Sequence, residues 1–91
     1  MDIKTVLEEL CGCTAPSGFE APAVQVASRL LEPLVDELQV DRMGNLIGAR
    51  RCGRPGAKKL LLDAHLDEIG LLVTGVADGL LRLRSIAGVD P

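Results

Sequence analysis

Tryptophan and tyrosine are absent from this sequence and Phe19 is its single aromatic residue, so any core must be built almost wholly from Leu, Val, Ile and Ala. The same lack removes the stacking surfaces on which single-stranded nucleic acids rest. No excess of basic charge compensates: ten Lys and Arg stand against thirteen Asp and Glu, for a net charge of −3. Nucleic acid and anionic membrane surfaces are therefore poor partners on electrostatic grounds. No apolar stretch approaches the roughly 18 residues of a membrane span. The start, "MDIKTVLEEL", is acidic and amphipathic, unlike a signal peptide. Cys11, Cys13 and Cys52 are an odd number and cannot close a disulfide set, which agrees with a reducing compartment. These features predict a cytoplasmic location.

What is present is a globular composition, 47% hydrophobic and 25% charged, with no internal repeat or low-complexity segment. Ninety-one residues make one small domain or a piece of a larger one. A chain this size buries only roughly 60 to 65% of the surface it exposes when unfolded, so its stability is marginal unless something else covers it.

Ile3, Val6, Leu7 and Leu10 fall at helical spacing and predict a short amphipathic helix. "CGCTAPSGFE" breaks it. Ser17 and Glu20 have capping-box spacing, yet with Ser17 as N-cap Pro22 would lie where the helix needs its N–H. The second helix is accordingly predicted to start near Gly18 or Phe19 and to run through Val24, Val26, Ala27, Leu30 and Leu31, with Pro33 bending or ending it. "VDELQVD" and "NLIGAR" read as a hairpin around "DRMGN", where Gly44 can take a positive φ. "RRCGRPGAKK" reads as a solvated basic turn rather than a nucleic-acid patch. "KLLLDA" has the continuous apolar pattern of a strand covered on both faces in an α/β sheet. "IGLLVTGV" and "LLRLRSI" flank Asp78-Gly79 and read as two hairpin strands.

The only histidine, His65, sits where the apolar run ends, in "DAHLDEIG". Ligands in open α/β sheets collect beyond the carboxyl ends of strands. In an extended chain His65 and Asp67 share a face, so Asp67 can hold one ring nitrogen while the other meets a metal. A plainer reading fits too: His65 ends a buried strand with its nitrogens hydrogen-bonded, and Asp67 and Glu68 open a solvated turn. Taken alone, the three-residue pattern H-x-D favours the plainer reading, because such short patterns arise by chance. The cysteines offer a third reading, a zinc module of Cys11, Cys13, Cys52 and His65. Their C-x-C spacing is shorter than structural zinc sites use, and small buried apolar cysteines are the expectation.

Several stretches in order shift that balance. "APSGFE" at 15–20, "VDRMGNLIG" at 40–48, "LLDAHLDEIGLLVT" at 61–74 and "IAGVDP" at 86–91 resemble the N-terminal part of the tetrahedral aminopeptidase and glutamyl aminopeptidase family of dinuclear metallopeptidases. The resemblance spans essentially the whole chain, and A-H-x-D-E-I-G is its most specific element. It implies an α/β fold. Residues 1–68 would be the N-terminal part of a mixed-sheet zinc-peptidase catalytic domain, and residues 69–91 the first strands of an inserted β-rich assembly domain.

The resemblance further implies that His65 binds one of two zinc or cobalt ions and that the catalytic aspartate Asp67 orients it. Glu68, Ile69 and Gly70 belong to the motif without an assigned chemical step. The implied reaction is removal of N-terminal residues from peptides with a free N-terminus by a water activated between two metals. The family's bridging aspartate, glutamate pair, further carboxylate and second histidine come later in its sequences. Asp63, Asp78 and Asp90 match none of those motifs, so these 91 residues alone are expected to be inactive. Homo-oligomers, dimers assembling into a dodecamer, are implied once the second domain is whole. The rival expectation is a non-catalytic truncated remnant that binds a metal weakly or associates with other subunits. Nothing in the residues supports sugar chemistry, since no acid and nucleophile pair is identifiable.

Overall fold

The computed structural model describes residues 1–88; residues 89–91, with Asp90 and the end of the "IAGVDP" stretch, lie outside the described residues. Helix α1 spans Ile3–Cys11 and is capped by Asp2, whose carboxylate accepts from the Lys4 N–H at 3.2 Å and from the Thr5 hydroxyl at 2.8 Å. Val6 and Leu10 turn inward and are half-buried, while Ile3 and Leu7 remain exposed.

Helix α2 spans Ala21–Leu31, two to three residues later than the sequence pattern suggests. Gly18 takes φ +90°, which a right-handed helix excludes, and the Phe19 N–H closes a turn onto the Pro16 carbonyl at 2.9 Å. Glu20 rather than Ser17 precedes the helix, and its carboxylate folds back to accept from the Gly18 N–H at 2.6 Å. Pro22 then falls in the first turn, where a missing N–H costs nothing. Pro33 lies in a single 3-10 turn, Glu32–Leu34, that ends the helical segment. The two helices pack together, and Glu9 pairs with Arg29 across them.

Strands β1 (Glu37–Val40) and β2 (Leu46–Ala49) pair antiparallel, with Glu37 opposite Ala49 and Val40 opposite Leu46. Asp41 organises the connecting turn: its carboxylate accepts from the Met43 N–H at 2.9 Å, the Asn45 N–H at 2.8 Å and the Asn45 side-chain amide at 2.9 Å. Gly44 takes φ +86° there, as the turn chemistry predicts. The hairpin rests on α2 through Gly48, where a Cβ would stand 2.9 Å from Leu31 Cδ2 and 3.0 Å from Val35 Cγ1. Only a residue without a side chain allows that approach.

Strands β3 (Gly70–Ala77) and β4 (Leu80–Ile86) form the second predicted hairpin. Asp78 (φ 52°) and Gly79 (φ 72°) both take positive φ, the signature of the two-residue turn whose twist matches paired strands. The ladder shifts register between Val73 and Gly75.

Two expectations fail. Residues 59–64 form no strand, because no segment among the described residues lies alongside to complete a ladder; Leu60, Leu61 and Leu62 are each at least 85% exposed. The described residues hold two separate two-stranded antiparallel sheets in a small α/β arrangement, and the one parallel pairing is an isolated bridge between Pro16 and Glu68. The cysteines are not uniformly buried either: Cys11 and Cys52 are exposed and Cys13 is half-buried. Ala15 and Ala23 are the only buried hydrophobic residues among those described. The Cα radius of gyration is 17.6 Å, against about 12 Å for a compact domain of this length.

Candidate functional site

The segment after the unpaired apolar run is anchored by its glutamate. The Glu68 N–H donates to the Ala15 carbonyl at 2.9 Å, and the Glu68 carboxylate accepts from the Ala15 N–H at 3.0 Å. This reciprocal pair joins residues 53 positions apart and satisfies both backbone groups of a residue only 3% exposed. Two residues on, a Cβ at Gly70 would lie 3.2 Å from Pro16 Cβ, so the glycine lets the proline loop seat against the start of β3. Residues 15–16 and 68–70 thus form one joint, although far apart in sequence.

Immediately before that joint, His65 Nδ1 lies 3.1 Å from Asp67 Oδ1 and 3.1 Å from the Asp67 carbonyl oxygen. The carbonyl can only accept, so Nδ1 is the ring nitrogen that donates. In the neutral imidazole the lone pair then resides on Nε2, the nitrogen a metal takes. The histidine side chain is 87% exposed, while the Asp67 side chain is half-buried at 35%. The ring is therefore oriented by its neighbour rather than by packing.

His65 and Asp67 line an open hollow of about 750 Å³ together with Asp63, Val24 of α2 and the 43–48 hairpin segment. One imidazole with a fixed tautomer is a suitable donor to zinc or cobalt. No group of three or more His, Cys, Asp or Glu residues that could hold a metal occurs among the described residues. Hence Cys11, Cys13, Cys52 and His65 form no common ligand set among the described residues. Asp78 lies in the β3–β4 turn, and it does not line this hollow.

Sequence reasoning singled out the His65 and Asp67 pair and left Glu68 without a role. Its contact lies 53 residues away, beyond any local periodicity. The available signal was joint occurrence: "APSG" and "HLDEIG" are both among the stretches that resemble one family, and they meet at this joint.

Comparison with known proteins agrees with that resemblance. The family model described as M42 glutamyl aminopeptidase matches residues 44–91. The lysyl aminopeptidase of Pyrococcus furiosus is 35% identical over 77 residues, covering 82% of this chain and 21% of the relative. Among solved structures, an aminopeptidase from the archaeon Desulfurococcus kamchatkensis superposes with a TM-score of 0.83 at 38% identity, over 93% of this chain and 24% of that one. A Thermotoga maritima protein described as an endoglucanase superposes with a TM-score of 0.79 at 41% identity, over 93% of this chain and 27% of that one. The chain spans about a quarter of the length of the proteins it matches. With the family model covering more than half of the sequence and the motif joint present in three dimensions, the chain belongs to the M42 glutamyl aminopeptidase family.

Proposed function

We propose that this chain supplies one metal-ligand segment of a metalloaminopeptidase that removes N-terminal residues from peptides with a free N-terminus. The observation that carries the reading is the His65–Asp67 pair, with Nδ1 engaged and Nε2 left to meet a cation at the edge of the hollow. Two divalent ions, zinc or cobalt, would supply Lewis-acid activation of water at the complete centre. His65 would hold one of them through Nε2. Asp67 accepts a hydrogen bond from the Nδ1–H, which fixes the tautomer and the orientation of the ring. The remaining donors and the general base would come from outside the described residues, so the 91 residues alone would not hydrolyse peptides.

Residues 1–68 read as part of the catalytic domain and residues 69–91 as the opening of an inserted β-rich assembly domain. The change from helices and short strands to a long exposed hairpin at Gly70 supports that division. Assembly into homo-oligomers in the cytoplasm is the matching expectation for the complete protein. No described helix is long and apolar enough to cross a membrane. Glycoside hydrolysis, suggested by the name of one structural relative, requires two carboxyl groups free to flank a sugar. Here Asp67 is engaged by His65 and Glu68 by Ala15.

The test is His65→Ala in the complete enzyme, followed by metal analysis and hydrolysis of aminoacyl p-nitroanilides. Loss of one ion per active site together with activity is expected. A variant that keeps its full metal content would overturn the assignment.

A further inference from the structure

We propose that Glu68 is a positioning residue for His65, acting through Ala15 and not through the substrate or the metal; the inference rests on the reading of His65 as a ligand. The adjacent carboxylates divide the work. Asp67 fixes the rotation of the imidazole, and Glu68 fixes the segment that carries it.

The geometry leaves few other anchors for this segment. Residues 59–67 belong to no sheet, and His65 itself is exposed. Immediately beyond lies the Glu68 pair with Ala15, made of one backbone and one side-chain hydrogen bond, backed by the close seating of Gly70 on Pro16. Ala15 is one of the two buried hydrophobic residues described, so it is a fixed point to which an otherwise unpaired segment can be tied. Removing the carboxylate would leave a buried Ala15 N–H without an acceptor and free the segment to shift. A ligand held within a fraction of an ångström by its supporting contacts loses affinity when they go.

Two features of Glu68 separate this role from direct chemistry. Its oxygen is committed to a backbone N–H, and what that N–H requires is an acceptor at the right reach, not a negative charge. Glutamine meets the requirement. Aspartate, one methylene shorter, keeps the charge and loses the reach.

The experiment compares Glu68→Gln, Glu68→Asp and Glu68→Ala in the complete, cobalt-loaded enzyme, measuring cobalt affinity by equilibrium dialysis and ligand geometry by the visible absorption of bound cobalt. Glu68→Ala and Glu68→Asp should each weaken cobalt binding by about 10-fold or more and alter the spectrum, while Glu68→Gln should retain both. The aspartate variant keeps the test available if the alanine variant does not fold. Unchanged affinity and spectrum in Glu68→Asp, or a glutamine variant as damaged as the aspartate one, would overturn the proposal. His65→Ala serves as the reference: if it too leaves cobalt binding unchanged, the ligand assignment itself fails. If it abolishes binding while Glu68→Asp does not, only the role of Glu68 falls.

Discussion

His65 Nδ1 faces two oxygens of one residue, the side chain and the carbonyl of Asp67, both at 3.1 Å. A single neighbour two positions away thereby sets the rotation and the tautomer of the only imidazole in the chain. The spacing that places them on one face also keeps Leu66 from intervening.

Asp67→Asn tests the part of that relationship that depends on charge. The amide can still accept from Nδ1, but it no longer places a negative charge behind the ring. In the complete enzyme, metal affinity or turnover should fall by roughly 10 to 100-fold. An asparagine enzyme with unchanged metal affinity and turnover would show that Asp67 does no more than fill the turn.

Gly48→Val addresses the packing of the first hairpin. The added Cβ would meet Leu31 Cδ2 at 2.9 Å and Val35 Cγ1 at 3.0 Å, so those side chains must give way. Overpacking of this kind costs typically 1 to 3 kcal/mol, here about the lower end because Leu31 can partly turn aside. Chemical denaturation of the variant beside the parent checks this; a midpoint equal to the parent's would mean the contact yields without cost.

The parts that local patterns dictate were legible in the sequence. Helical spacing from Ile3 to Leu10, the Gly44 turn and the Asp78-Gly79 turn each specify their element within a few residues, and all appear. The second helix begins late because Gly18 adopts a left-handed conformation, which composition allows but does not announce. The apolar run at 59–64 failed as a strand for a different reason. A strand is completed by its neighbours, and none of the described residues lies beside it. In the site, the His65–Asp67 pair follows from spacing of two, whereas the Glu68–Ala15 joint closes over 53 residues and carries no local signal.

Asp41 gives the first hairpin a defined response to acid. Hydrogen bonds from the Asn45 side chain, then from the backbone of the turn, hold its carboxyl below the ordinary 3.8 of an aspartate. With the folded value depressed below the unfolded one, the stabilisation is present above about pH 4 and is lost as pH falls through the lower, folded value. Carbonyl-carbon NMR titration should place the Asp41 midpoint below 3.8, with the Asn45 amide signal moving in step. A midpoint at or above that value would contradict the hydrogen-bonded turn.

The second hairpin predicts how the 91-residue chain behaves in solution. Leu71, Leu72 and Val73 are consecutive and all at least half exposed, so neither face of β3 is covered. Val76 and Leu81 form a cross-strand pair and are also exposed, as are Leu60, Leu61 and Leu62 on the unpaired run. Apolar surface this continuous, next to strand edges with unpaired donors and acceptors, favours association. The isolated chain should bind a hydrophobic dye and sediment as species that grow with concentration. Lysine at both Val76 and Leu81 should reduce dye binding and shift the distribution toward monomer, since it puts charge on a cross-strand pair without touching the turn. A chain that sediments as a monomer at every concentration and binds no dye would mean that these leucines find cover within the chain and that the hairpin is not exposed.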